Sequence, residues 1–179
     1  MDPFSLRLNL DSGDVEGNNI IVESKTLFDL RNLIQNQKAL TKLLKNKKDI
    51  EVYTVYTCKP GHTAAHLTIH VTRIKPGKIG KEFFFTKGHI HKKPTAEWYL
   101  GISGTGLLLL WNKNKHLVLP FSRGDLIYIP PGWAHRTINV GDEDLVFLSF
   151  HRSDAGYNYD FVVEKGAPKR ILASDKELF

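Results

Sequence analysis

One cysteine stands in the whole chain, Cys58, so no internal disulfide can form and a reducing, cytoplasmic setting is the default. Cys58 itself reads as a small packed side chain rather than a nucleophile. Long apolar runs are missing too. The longest, Leu107 to Trp111, is far too short to cross a bilayer, so no membrane partner is expected. The first residues, MDPFSLRLNLDSGD, lack a basic stretch followed by an apolar one, and no signal peptide is expected. Basic and aromatic residues do not interleave in the stripe that binds single strands, so nucleic acid is not an expected partner. Internal repeats and low-complexity segments are also absent.

What remains is a basic chain of one-domain size. Its 179 residues, 41% hydrophobic, suffice for one domain with a sizeable core. The net charge is +6, and the lysines are scattered, among them Lys38, Lys42, Lys45, Lys47, Lys48, Lys113 and Lys115. That charge suits an anionic small substrate as well as plain solubility.

The pattern divides the chain. Residues 1–25 form an arm with turns at Asp11 to Asp14 and Gly17 to Asn19, placed to add an edge strand or to lie across a partner subunit. Residues 26–48 carry Leu30, Leu33, Ile34, Leu40, Leu43 and Leu44 at three- and four-residue intervals, which predicts one helix or two short ones. From Val52 onward the pattern is β. Strands are expected over 51–58, 67–74, 82–91 with an irregularity at Gly88, 97–101, 106–111, 116–119, 125–129, 136–140 and 145–151, with short ones at 161–164 and 170–173. Many short strands between Gly, Pro and Asn turns predict an all-β sandwich or barrel spanning 51–164, with 165–179 as an extension.

Two stretches carry the chemistry. In TKGHIHKKPTAEWYLGISG, His89 and His91 are two apart and project to one face of a strand, as do Glu97 and Tyr99. Two imidazoles and a carboxylate are good ligands for a first-row divalent metal. In GDLIYIPPGWAHRTIN, the turn at Pro130, Pro131 and Gly132 aims His135 inward as a fourth ligand. The remaining histidines, His62, His66, His70, His116 and His151, lack such a pattern, and of these His70 and His151 are pocket candidates.

Glu97 with Gly104, and then Gly124, Pro130, Gly132, His135 and Asn139, are similar to the two motifs of the cupin family. The first motif departs at Phe83, where a glycine is usual, and in a longer gap between His91 and Glu97. That gap, with PGKIGKE upstream and Thr86 to His89, resembles the cupin-type phosphoglucose isomerases, from about Leu27 to Gly166. The resemblance implies a single jelly-roll cupin barrel with a short N-terminal helical region. It implies a homodimer and one divalent metal per chain, Fe²⁺ or Mn²⁺ foremost, with Ni²⁺, Co²⁺ or Zn²⁺ as alternatives.

The activity implied is interconversion of glucose 6-phosphate and fructose 6-phosphate, so the partner is a small phosphorylated sugar. Glu97 is then the catalytic base of an enediol route, unless a hydride shift dispenses with one. Thr72, Thr86, the backbone of Gly88, and Tyr99 match phosphate-binding positions, and Tyr53 a pocket tyrosine. His151, Tyr157 and Tyr159 match a pocket-lining segment. Tyr157 stands where several relatives carry histidine, and His151 where some carry tyrosine. A metal-dependent cupin dioxygenase and a non-catalytic sugar-phosphate-binding cupin are the rival readings.

Overall fold

Alternating, β-branched stretches punctuated by turn residues pair into two main antiparallel sheets. The computed structural model describes residues 2–46 and 49–178. Six strands form the larger sheet, in the order Leu126–Ile129, Glu97–Ser103, Leu145–Arg152, Leu67–Ile74, Glu51–Cys58, Ile20–Thr26. The smaller sheet runs His116–Ser122, Thr105–Trp111, Ala134–Asn139. The chain crosses from one sheet to the other at Gly104, whose φ is +78°. A Cβ there would meet the Asp144 carbonyl oxygen at 2.5 Å, so only glycine allows the tight crossing.

The facing sides of the sheets bury one core that includes Ile74, Leu107, Leu109, Phe121, Ile129 and Phe147. Aromatic contacts join the sheets directly: Phe121 of the smaller sheet lies 5.6 Å from Phe147 and 6.0 Å from Tyr99 of the larger, centroid to centroid. Each such side chain contributes on the order of 1.5–3 kcal/mol when buried. The whole is a single cupin barrel. A hairpin of Arg7–Leu8 and Val15–Glu16 covers a second, smaller apolar cluster of Val71, Ile102 and Val146. Among the described residues no helix is long and apolar enough to cross a membrane.

Four expected elements differ. The 26–48 stretch is helical only over Gln37–Asn46, and Lys47 and Lys48 lie outside the described residues, as do Met1 and Phe179. Residues 27–33 are turns instead. The Asp29 carboxylate accepts from the Thr26 amide and hydroxyl at 2.9 and 3.1 Å, and the Leu27 amide is held by the Ile50 carbonyl. The helix begins where the Asn36 side chain accepts from the Ala39 amide at 3.0 Å. Leu30, Ile34 and Leu40 are all buried, so successive turns and a helix satisfy the same apolar spacing.

The expected 161–164 strand is a short helix, Asp160–Lys165, started by Asn158 Oδ1 accepting from the Phe161 amide. The expected 170–173 strand reduces to one bridge, Leu172 to Glu82. The expected 82–91 strand is broken into Glu82–Phe83, a bridge at Phe85 and Ile90–His91, because Gly88 (φ +76°) turns the backbone between them.

Candidate metal centre

The turn at Gly88 delivers His89 to the smaller sheet. His89 and His135 exchange both backbone hydrogen bonds, at 3.2 and 3.0 Å, so the two motifs meet main chain to main chain. A Cβ on Gly88 would stand 2.8 Å from the His135 carbonyl oxygen. Two residues on, His91 pairs with Tyr157. Glu97 opens its strand between Ile129 and His151 and is 2% exposed.

Around one carboxylate oxygen, Glu97 Oε2, stand three imidazole nitrogens: His135 Nε2 at 3.1 Å, His91 Nε2 at 3.3 Å and His89 Nε2 at 3.9 Å. All four atoms are buried without a hydrogen-bond partner of acceptable geometry. Buried polar atoms almost always find partners, so four orphans facing one another mark a place built for something else. His89, His91 and Glu97 could hold a divalent cation together, and His135 Nε2 faces the same carboxylate oxygen. The far ring nitrogens fit that reading. His91 Nδ1 faces the Thr95 carbonyl at 3.1 Å and His135 Nδ1 faces the Trp133 carbonyl at 3.3 Å, so these carry the protons and leave the Nε2 lone pairs free. The ligating atoms of His89, His91 and Glu97 lie within 4.8 Å of one another.

Electrostatics favour the neutral form at His89 and the charged form at Glu97. Burial, then the neighbouring His135, holds His89 well below the usual imidazole range. Glu97 lies well below the usual carboxylate range: burial opposes its charge, and the imidazoles of His135 and His91 prevail. His91 is raised, because Glu97 outweighs the effect of burial.

These atoms sit on a cavity of about 280 Å³. Its wall carries Tyr53, Thr72, Thr86, Gly88, Tyr99, Tyr157 and Tyr159 together with His89, Glu97 and His135. His91 and His151 are the two expected site residues that are not on the wall. His151 is buried and hydrogen-bonded to Tyr157. The Thr86 hydroxyl accepts from the Thr137 amide at 3.1 Å, which leaves its own hydrogen free. Tyr99 stacks on Phe147 at 4.8 Å, and burial pushes its phenol well above the usual range. The Lys87 amide donates to the Tyr53 hydroxyl at 3.4 Å, and the Lys87 ammonium lies 4.5 Å from the Tyr159 ring.

Sequence reasoning did not single out Lys25, Lys59, Lys87 or Thr57, all on the same wall. Ile21, Glu23 and Lys25 line the cavity from the edge strand, and their two-residue spacing was the available signal. Arg136, 6% exposed, was also missed. Its guanidinium donates to the Lys87 carbonyl at 2.9 Å and so holds the Thr86–Gly88 turn in place.

The family model described as glucose-6-phosphate isomerase (GPI) matches residues 24–178. The glucose-6-phosphate isomerase of Thermococcus kodakarensis is 39% identical over 178 residues, 98% of this chain and 92% of that one. That of Pyrococcus furiosus is 36% identical over 179 residues, 99% and 93% of the two chains. Among solved structures, peruvianin-I, a cysteine peptidase from Thevetia peruviana latex, superposes with a TM-score of 0.51 at 22% identity over 60% of this chain and 66% of that one. A deletion mutant of Bacillus subtilis oxalate decarboxylase gives a TM-score of 0.50 at 24% identity over 65% and 30%. The two structural likenesses concern the fold alone.

Proposed function

The chain belongs to the glucose-6-phosphate isomerase family, and from that premise we propose how its own residues carry the reaction. The reaction interconverts glucose 6-phosphate and fructose 6-phosphate, two isomers that differ by one proton shift and the position of the carbonyl. One observation carries the reading: four buried, unpartnered ligand atoms converge beside a cavity whose wall is rich in hydroxyls and lysines.

His89, His91, Glu97 and His135 hold one divalent cation per chain. The nitrogen and oxygen donors suit Fe²⁺ or Mn²⁺ first, and also accept Ni²⁺, Co²⁺ or Zn²⁺. When bound, such a cation supplies a Lewis acid that lowers the cost of negative charge on the sugar oxygens. Thr72, Thr86, the Gly88 amide and Tyr99 bind the phosphate, with Tyr53 and Tyr159 beside them in the pocket. A phosphate wants several converging donors, and the free hydrogen on Thr86 is one. Glu97 is the catalytic base that carries the proton between C1 and C2 in a cis-enediol route. Tyr157 faces the sugar from the cavity wall, and His151 holds Tyr157 there through their 2.8 Å hydrogen bond.

The chain acts as one domain, with the barrel over 51–164 flanked by the arm 1–25, the helical region 26–48 and the extension 165–179. A homodimer in the cytoplasm is its working form. The single cysteine and the glycolytic reaction support that setting.

Glu97→Gln keeps the shape and a weaker ligand oxygen but removes the base. The variant should retain metal through the three histidines, with lower affinity. Its turnover should fall by ~10²–10⁴, the usual size of a lost general base. Near-parental turnover in metal-loaded Glu97→Gln would remove Glu97 from that role.

A further inference from the structure

Isomerisation moves two protons, and Glu97 accounts for one of them. The aldose has its carbonyl on C1 and a hydroxyl on C2; the ketose has the reverse. While a carbon-bound proton passes from C2 to C1, an oxygen-bound proton must pass from O2 to O1. No residue assigned so far performs that second transfer.

Beside the proposed metal ligands lies a hydrogen-bonded group that the ligand and phosphate roles leave unused. His70 Nε2 is 2.7 Å from the Tyr157 hydroxyl and 3.0 Å from His151 Nε2, and that hydroxyl is 2.8 Å from His151 Nε2. On its other side, His70 Nδ1 is 2.9 Å from the Thr57 hydroxyl. His151 Nδ1 faces the Arg152 carbonyl at 2.8 Å. A carbonyl only accepts, so His151 keeps its proton on Nδ1 and presents a bare Nε2. His151 is therefore a fixed acceptor, and His70 is the member with two alternatives.

In the first alternative, His70 carries its proton on Nε2. It donates toward Tyr157 and His151, and Nδ1 accepts from the Thr57 hydroxyl. In the second, His70 carries its proton on Nδ1 and donates to Thr57, while Nε2 accepts from Tyr157. Both forms keep the Thr57 and Tyr157 contacts, whereas the 3.0 Å contact with His151 is a hydrogen bond only in the first. Thr57 and Tyr157 both line the cavity, as does His70 between them. Register explains the placement: His70 pairs with Thr57 on one neighbouring strand and with Ser149 on the other, one pleat from the row that pairs Glu97 with His151.

We propose that His70 relays a proton between the Thr57 and Tyr157 hydroxyls, exchanging one ring tautomer for the other, and so moves a proton from O2 to O1 of the sugar. The inference rests on the isomerase reading of the site. In the forward direction O2 gives its proton to Thr57 Oγ1, and Thr57 passes its own to His70 Nδ1. His70 releases the Nε2 proton to the Tyr157 oxygen, and Tyr157 gives its hydroxyl proton to O1. One O–H bond is lost and one gained on the sugar, each protein group stays neutral, and only the His70 tautomer has changed. The reverse reaction restores it; between forward turnovers, exchange with water at the cavity mouth does so. Neutrality is built in, since burial and then the neighbouring His151 push His70 down to about 4. Imidazole is the side chain suited to this task, because its two nitrogens accept and release protons on opposite edges. His70 acts through Thr57 and Tyr157, which touch the sugar.

Two variants test the relay in the full-length, Mn²⁺-loaded protein. His70→Gln fills the position and keeps hydrogen bonds but cannot pass a proton from one edge to the other. Its kcat should fall by ~10²-fold while KM and metal content by elemental analysis stay near the parent's. His70→Ala leaves a gap that imidazole and 1-methylimidazole both fit, but only imidazole has a proton to hand on. Added imidazole should restore turnover in His70→Ala, and 1-methylimidazole should not. Nitrogen-15 NMR of the parent at neutral pH should show His70 uncharged, a readout independent of turnover. Unchanged kcat in His70→Gln, equal effects of the two compounds on His70→Ala, or a doubly protonated His70 would each overturn the relay while leaving an active parent as an isomerase. A folded, Mn²⁺-loaded parent inert toward glucose 6-phosphate would overturn the isomerase reading and the relay together.

Discussion

Thr86 has two jobs. Its oxygen accepts from the Thr137 amide, tying the Gly88 turn to the smaller sheet, which leaves its own hydrogen to donate to the proposed phosphate. Thr86→Val should weaken binding of 6-phosphogluconate by roughly 1–3 kcal/mol if a charge-assisted hydrogen bond is lost. Metal content should not change, because the partner of that hydroxyl is the Thr137 amide and not a proposed ligand. Calorimetry decides it: undiminished affinity would remove Thr86 from the phosphate site. His70 makes a separate demand on the metal-free protein. Its proton affinity in the fold is depressed to about 4 from an ordinary 6.5, so between those values the unfolded chain binds a proton that the folded chain does not. Stability should therefore fall as pH drops from 6.5 toward 4, and less steeply in His70→Gln. Equal slopes in thermal melts would contradict the assignment. The meeting of His89 with His91 was legible because their spacing alone puts them on one face. His70 was only half legible: its strand face could be read, but its partners Thr57 and Tyr157 come from distant segments that spacing does not connect.

Gly88 turns a strand into a site. Its positive φ breaks the pairing between Phe85 and Ile90 and presents the His89 backbone to His135. An alanine there adds a Cβ 2.8 Å from the His135 carbonyl oxygen and strains the backbone by about 1–3 kcal/mol. Gly88→Ala should lower both the melting temperature and metal occupancy, measured by calorimetry and elemental analysis; full occupancy would show that the turn does not aim the ligands. The strands of the barrel were readable in the sequence because their apolar residues alternate or are buried on both faces. Element type failed where chain direction is set by single side-chain bonds. Asp29 on Thr26 and Asn158 on Phe161 select turns and a helical turn in stretches whose apolar spacing fits several conformations. The edge strand Ile20–Thr26 was weakly marked, and with it went Lys25 on the cavity wall.

At the scale of the molecule, two sheets of different breadth flank the cavity, and both supply its proposed ligands. His135 comes from the smaller sheet and Glu97 from the larger, while His89 and His91 come from the segment that spans them. The sheets are joined through the Phe121, Phe147 and Tyr99 rings, so the ligand set depends on the packed barrel rather than on any one hairpin. We propose that the four converging, unpartnered atoms hold a cation on which isomerisation depends. The direct measurement is turnover of glucose 6-phosphate by protein stripped with chelator and then reloaded, with metal counted at each stage. The loaded protein should carry about one divalent ion per chain, lose activity on stripping, and recover it with Mn²⁺ or Fe²⁺. Full activity in protein shown by elemental analysis to contain no metal would contradict it.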